Sequence, residues 1–257
     1  MMDVNGTIPL VSVIMPAYNA QEYIEEAIRS VQQQTVTDWE LLVLDDGSQD
    51  ETAAIVERLA CKDPRIRFLP NDHNMGTART RNRGLDLSRG QYVAFLDSDD
   101  VWLPTKIEQQ INALVSEDAD MVYTSYSIVG NDGVPCCDDF LVLDKVSLED
   151  MLRRNEIGCS TVLLSQRAQQ RYRFPVDFYH EDYALWLKML RDGAVAVGVT
   201  DILVRYRFHA NSRASNKLRS AIRRWHIYRD LLKMPLLQGG WYLVQYIFYG
   251  IKKYRRR

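Results

Sequence analysis

The sequence predicts an α/β fold: a mostly parallel, twisted sheet with helices on both faces, followed by amphipathic helices at the C-terminus. Three observations predict it. Short apolar runs of strand length alternate with segments whose apolar residues recur at helical spacing. The connections between them are short, as βαβ units require. Three of the turns that follow strands are rich in acids or amides, so their polar groups should collect along one sheet edge, where such folds bind ligands.

The elements follow in order. Residues 10–15 form an apolar strand that Pro16 ends, and Ala20, Ile24, Ala27, Ile28 and Val31 then share one helix face. Residues 40–44 form a second buried strand ending in Asp45-Asp46-Gly47-Ser48. Ser48 with Glu51 three residues on reads as a capping box for a helix through Ala60. Residues 65–69 are a third strand, 77–87 a third helix and 91–96 a fourth strand, which ends in Asp97-Ser98-Asp99-Asp100. Pro104 opens a helix to Ser116, and residues 121–126 add another strand. Beyond this the pattern loosens. Asn131-Asp132-Gly133 is a hairpin-type turn, 147–155 a short helix and 160–164 a strand. His180-Glu181-Asp182 opens a helix to Arg191 that Gly193 stops; two strands, 194–199 and 202–208, follow. From about Lys217 the chain is helical, with breaks near Pro235 and Gly239-Gly240.

Composition supports a sizeable core, with 46% apolar and 26% charged residues, and argues against bulk disorder. The net charge of −2 conceals an asymmetry. Eleven Lys/Arg against one acid, Asp230, put residues 217–257 at +10, which leaves the rest of the chain at −12. A basic tail on an acidic globule points to an anionic partner for the tail. Cys61, Cys136, Cys137 and Cys159 lack zinc-type spacing and read as reduced thiols of a cytosolic protein. The first ten residues do not read as a signal sequence, and no apolar run reaches the roughly 20 residues of a membrane span. The expected location is therefore cytoplasmic.

The acidic turn Asp97-Ser98-Asp99-Asp100 carries the sharpest chemical signal. Its carboxylates repel one another unless a cation compensates them. Mg²⁺ and Mn²⁺ take oxygen ligands, often one or two carboxylates with substrate phosphates. The plainer alternative is an acidic start to the next helix. Asp45 and Asp46 admit a similar pair of readings: turn formation, or a carboxylate accepting the imide N–H of a uracil ring. Pro16-Ala17-Tyr18-Asn19 offers main-chain groups and an aromatic face beside it. Glu181 and Asp182 either favour the dipole of their helix or project a base into the cleft.

The ordered set of motifs resembles the inverting GT-A-fold glycosyltransferases of family two, a group containing many bacterial cell-surface polysaccharide transferases. The matching residues are Val11-Ser-Val-Ile-Met-Pro-Ala-Tyr-Asn19, Glu40-Leu-Leu-Val-Leu-Asp-Asp-Gly-Ser48 with Asp50 and Thr52, and Asn74-Met-Gly76 with Arg81-Asn82. Gly90-Gln-Tyr-Val-Ala-Phe-Leu-Asp-Ser-Asp-Asp100 and Glu181-Asp182 complete the set, which spans most of residues 10–210. Ile157-Gly-Cys-Ser-Thr-Val162, Ser215-Asn216-Lys217 and the stretch from Trp225 to Asp230 draw the likeness toward teichuronic-acid and O-antigen-type transferases.

The resemblance implies a GT-A-like catalytic domain over 1–216, with a donor half at 1–127, an acceptor half at 128–216, and a basic aromatic helical tail at 217–257. It implies that Asp46 binds the nucleobase with help from Pro16, Ala17, Tyr18 and Asn19, and that Asp97 contacts the ribose side. Asp99 would hold a Mn²⁺ or Mg²⁺ ion bridging the diphosphate, Arg81 would lie near the donor phosphates or sugar, and Asp182 would be the general base. His209 would help hold the diphosphate or metal; a surface histidine is the alternative. The implied donor is a nucleotide-diphosphate sugar, favoured as a UDP-sugar. The implied acceptor is a saccharide, possibly linked to polyprenyl diphosphate.

An inverting transfer is one in-line displacement at the anomeric carbon, in which a carboxylate takes the proton of a weakly nucleophilic hydroxyl. An ordinary Asp, with a pKa of about 3.9, is already ionised for that task. In the tail, Trp241-Tyr-Leu-Val-Gln-Tyr-Ile-Phe-Tyr249 is apolar but too short to span a bilayer. Its aromatic residues and the basic end fit a helix lying at the inner face of an anionic membrane, where each Lys or Arg contributes about 1 kcal/mol. Packing on the catalytic domain or on a second subunit is the alternative, and no nucleic-acid module accompanies the basic residues. Two other functions stay open: a nucleotidyltransferase, whose glycine- and lysine-rich first turn is missing, and a non-catalytic nucleotide-sugar-binding module. A Rossmann dehydrogenase is disfavoured, since no Gly-x-Gly-x-x-Gly follows the first strand.

Overall fold

The computed structural model describes residues 8–208 and 217–254, with backbone alone at 217–219 and 248–254. Eight strands form one sheet in the order β3-β2-β1-β4-β7-β6-β8-β5. They are β1 (Val11–Ala17), β2 (Trp39–Asp45), β3 (Ile66–Phe68), β4 (Tyr92–Phe95), β5 (Val101–Trp102), β6 (Met121–Val129), β7 (Leu163–Leu164) and β8 (Ala196–Arg207). The β3-β2-β1-β4 half is parallel throughout, β7 runs antiparallel to both its neighbours, and β6 and β8 are again parallel. The parallel half thus brings its strand ends to one edge. Ala17 lies beside Asp45, and the Leu96 amide donates to the Ile14 carbonyl at 3.0 Å.

Alternation along the strands divides the core in two. Val13, Met15, Leu41, Val43 and Ala94 face helices α1 (Ile24–Gln32), α2 (Thr52–Ala60) and α4 (Lys106–Ser116). Ile14, Leu42, Leu44, Val93 and Phe95 face α3 (Thr77–Leu87), α5 (Leu148–Arg153), α6 (Gln166–Arg171) and α7 (Glu181–Arg191). Burial on both faces explains why these strands read as continuous apolar runs. Gly84 sets the approach of α3: a β-carbon there would stand 2.6 Å from Ile14 Cγ2. The C-terminal helices α8 (Lys217–His226) and α9 (Leu236–Tyr254) flank a π-helical turn at Ile227–Leu231. Ile227, Tyr228 and Met234 belong to the same core as α7. No helix among the described residues is long and apolar enough to cross a membrane.

Several local expectations are corrected. The two strands expected at 194–199 and 202–208 are one, β8, with a register shift at the exposed pair Thr200 and Asp201. That polar bulge breaks the alternation, so one strand reads as two. The segment expected as a strand at 160–164 begins as a 3₁₀ turn, Cys159–Thr161, and pairs only at β7. Ser48 does not cap α2; its hydroxyl bonds the Asp45 carboxylate and accepts the Asn19 amide at 2.9 Å. It joins two turns instead of starting a helix. The short strand β5 and helix α6 had no expectation at all.

Candidate active site

The cleft edge is assembled turn by turn. Asp46 donates its amide to the Ala17 carbonyl at 2.8 Å, and Asn19 Oδ1 accepts the Gln49 amide at 2.8 Å, so the turns after β1 and β2 are bound to each other. Both contain left-handed residues, Asn19 at φ 50° and Gly47 at φ 81°. These are conformations that Asn and Gly adopt readily. Tyr18 is half exposed there and presents its ring. Asp46 itself is buried, and its carboxylate accepts the Asn71 side-chain amide at 2.7 Å and the Met75 and Gly76 amides at 2.9 Å each. It thereby holds residues 71–76, the segment that leads into α3, over the strand ends.

One turn into α3 stands Arg81, 3% exposed. Its guanidinium donates to Asp97 Oδ1 at 2.5 Å and to Glu181 Oε1 at 2.9 Å. Asp97 begins the acidic turn after β4, and Glu181 begins α7, 84 residues farther along the chain. A buried arginine is costly unless paired, and this one is paired twice. The bridge fixes the acidic turn against the helix that carries Asp182.

The acidic turn is clamped at both ends. The Ser160 hydroxyl accepts the Asp97 amide at 3.0 Å and donates to Asp100 Oδ2 at 2.5 Å. From the end of β8, the Arg207 amide donates to Asp100 Oδ1, and Arg207 Nε donates to the Asp99 carbonyl, both at 2.9 Å. The same guanidinium reaches Glu26 at 2.8 Å and the carbonyls of Gly130 and Asn131. Asp100 is fully enclosed, and burial, reinforced by Asp99 and Asp97, pushes its carboxyl well above the usual carboxylate range. It is a structural member of the turn. Asp97 and Asp99 remain partly open to the cleft.

Asp182 accepts the amide of Tyr183 on Oδ1 at 2.7 Å. Burial raises its pKa, and the nearby Arg81 charge opposes that rise. A carboxylate so placed is a stronger base than an ordinary aspartate. His209 lies outside the described residues, as do Ser215 and Asn216.

The structure therefore connects Pro16, Ala17, Tyr18, Asn19, Asp46, Arg81, Asp97, Asp99 and Asp182 through consecutive hydrogen bonds and turns. It adds Ser160 and Arg207, which sequence reasoning did not assign roles, and it gives Glu181 a place as a partner of Arg81. Neither charge stood out locally, because His180 and Asp182 flank Glu181 and Arg205 lies two residues before Arg207.

Comparison with known proteins points to one family. The family model described as glycosyl transferase family 2 matches residues 12–136. TuaG of Bacillus subtilis (strain 168), a glycosyltransferase assigned to teichuronic acid biosynthesis, is 36% identical over 245 residues, covering 95% of this chain and 97% of its own. WfgD of Escherichia coli is named as the UDP-Glc:α-D-GlcNAc-diphosphoundecaprenol β-1,3-glucosyltransferase. It is 39% identical over 247 residues, with 95% of each chain covered. Among solved structures, TarS of S. aureus in complex with UDP-GlcNAc superposes with a TM-score of 0.72 at 20% identity, over 92% of this chain and 71% of that one.

Proposed function

The chain belongs to glycosyl transferase family 2, and we propose that it transfers a sugar from a UDP-sugar to a lipid-linked saccharide with inversion at the anomeric carbon. One observation carries the site assignment: buried Arg81 joins the acidic turn after β4 to the first turn of α7, so a donor-side carboxylate pair and a base candidate share one cleft.

In this reading Asp46, whose carboxylate also holds the 71–76 segment, binds the nucleobase with help from Pro16, Ala17, Tyr18 and Asn19. Asp97 lies toward the ribose. Arg81 keeps its charge beside the donor pyrophosphate through its two carboxylate partners. The acceptor hydroxyl approaches Asp182, which takes its proton as the new bond forms and the nucleoside diphosphate leaves.

A divalent ion, Mn²⁺ or Mg²⁺, fits the turn. Asp99 supplies a hard oxygen donor, yet among the described residues no three His, Cys, Asp or Glu side chains stand close enough to hold an ion unaided. Diphosphate oxygens would complete its shell, the usual habit of these ions. Bound there, the ion offsets the charge that develops on the leaving diphosphate. His209, beyond Arg207 and Phe208, is assigned to the same diphosphate.

The acceptor assignment rests on WfgD and on WfaP, a second Escherichia coli relative named for the same activity, at 34% identity over 229 residues. It accords with residues 217–257 as a basic helical segment seated on an anionic membrane surface, at the cytoplasmic face. Leu237, Trp241, Val244 and Ile247 are exposed along α9, and Lys252 and Lys253 follow them in sequence.

A thermal-shift panel of nucleotide sugars with and without Mn²⁺ tests the donor. UDP-glucose or another UDP-sugar should raise the melting temperature, more with Mn²⁺ than with chelator, because a ligand that binds only the native state stabilises it. Stabilisation by GDP-sugars alone would overturn the donor, and an equal shift in chelator would overturn the metal.

A further inference from the structure

The helix that carries Asp182 is held from the C-terminal side by an unusual group. Arg224 of α8 is buried, and its Nη1 donates to the Tyr183 hydroxyl at 2.7 Å. Its guanidinium lies 4.0 Å from the Tyr183 ring centre and 3.9 Å from that of Tyr246 on α9. The Tyr183 hydroxyl in turn donates to the Met151 carbonyl at 3.0 Å, and the Tyr228 hydroxyl to the Leu152 carbonyl at 2.9 Å. One planar cation thus ties α7, α8 and α9 together, and the two hydroxyls secure them to α5. A guanidinium can lie against two rings and donate a hydrogen bond at once, which a point-like ammonium does less well.

A buried cation among phenols carries a desolvation cost that its contacts must offset. Its partner is what matters. Tyr183 follows Asp182 directly, and its amide is the donor that fixes the Asp182 carboxylate. We infer that Arg224 is a positioning residue for Asp182: the C-terminal helices, beyond any role as a membrane seat, hold the base through Tyr183. The inference rests on the reading of Asp182 as the base.

The test compares Arg224→Met, Tyr183→Phe and Asp182→Asn in full-length protein, with UDP-glucose and a GlcNAc-diphospholipid acceptor. Arg224→Met should keep UDP affinity while kcat falls roughly ten- to hundred-fold, the scale of a displaced reacting group. The acid limb of its pH–rate profile should move to higher pH, because the Tyr183 amide favours the charged carboxylate. Tyr183→Phe, which removes one hydroxyl and keeps the ring, should move both in the same direction by less, and it carries the test if Arg224→Met does not fold. Wild-type kcat and an unmoved acid limb in the folded variant would overturn the positioning role, as would a loss of UDP affinity with the limb unchanged. Full turnover by Asp182→Asn would remove the base itself, and the inference with it. An inactive Asp182→Asn beside a normal Arg224→Met would sink the inference alone.

Discussion

Arg81 and Arg224 are both buried guanidinium groups beside α7, yet the first lies between two carboxylates and the second among tyrosines. Arg81 joins parts of the chain whose own charges would otherwise repel or stay unsolvated: Asp97 from the acidic turn and the nearly enclosed Glu181. Arg224 joins neutral surfaces that already pack well. The contrast teaches that the cleft is held by charge compensation on the side of the acidic turn and by shape on the C-terminal side. Loss of the two cations should therefore be felt differently.

The largest effect belongs to Arg81. Arg81→Met takes the cation away from buried Glu181 and from Asp97, and losing one partner of a buried pair costs about 3–5 kcal/mol. Urea denaturation should show that loss, and Arg81→Met/Glu181→Gln should recover more than half of it. A double variant no more stable than the single one would break the comparison. Arg224→Met leaves only neutral groups behind and should cost about 1–3 kcal/mol in the same assay, the scale of a charged hydrogen bond with its ring contacts. Ser160→Ala removes the hydroxyl that serves both ends of the acidic turn and should cost about 1–2 kcal/mol, since it leaves the enclosed Asp100 short of a donor.

The smallest effect lies away from the cleft, at the opposite edge of the sheet. Hydrogen bonds from Arg65 hold the Asp63 pKa down at about 2 against burial, with Gln32 assisting. A lowered folded pKa stabilises the protein above the unfolded value of about 3.9, and that contribution fades as pH falls toward 2. Asp63→Asn should lose about 1 kcal/mol at pH 7, nothing near pH 2, and no transfer activity. For Asp182 the direction is reversed. Burial raises its pKa, so the acid limb of transfer should lie above the ordinary aspartate range. An acid limb at that ordinary value would count against a partly buried base.

These effects also mark how much was legible in the sequence. The parallel half was readable because strands buried on both faces are continuous apolar runs, and their ends are where polar residues cluster. Residues 77–87 form a helix with those bounds, and Asp45, Asp46 and Asp97 fall on the expected edge. The other half depends on contacts that no local pattern announces. Thr200 and Asp201 interrupt a single strand, Ser48 serves a neighbouring turn in place of its own helix, and Ser160 stands 60 residues from the aspartate it serves. Arg207 and Arg224 were charges whose partners lay far along the chain. Asp182 was placed by family resemblance and given an ordinary pKa, because burial is a property of the folded cleft.

The most direct test of the shared cleft is turnover of Asp182→Asn at saturating UDP-glucose with Mn²⁺ and the GlcNAc-diphospholipid acceptor, with UDP affinity measured on the same preparation. Loss of one well-placed general base predicts a transfer rate lower by roughly 10²–10⁴ with UDP affinity unchanged. Transfer at the wild-type rate would contradict the account.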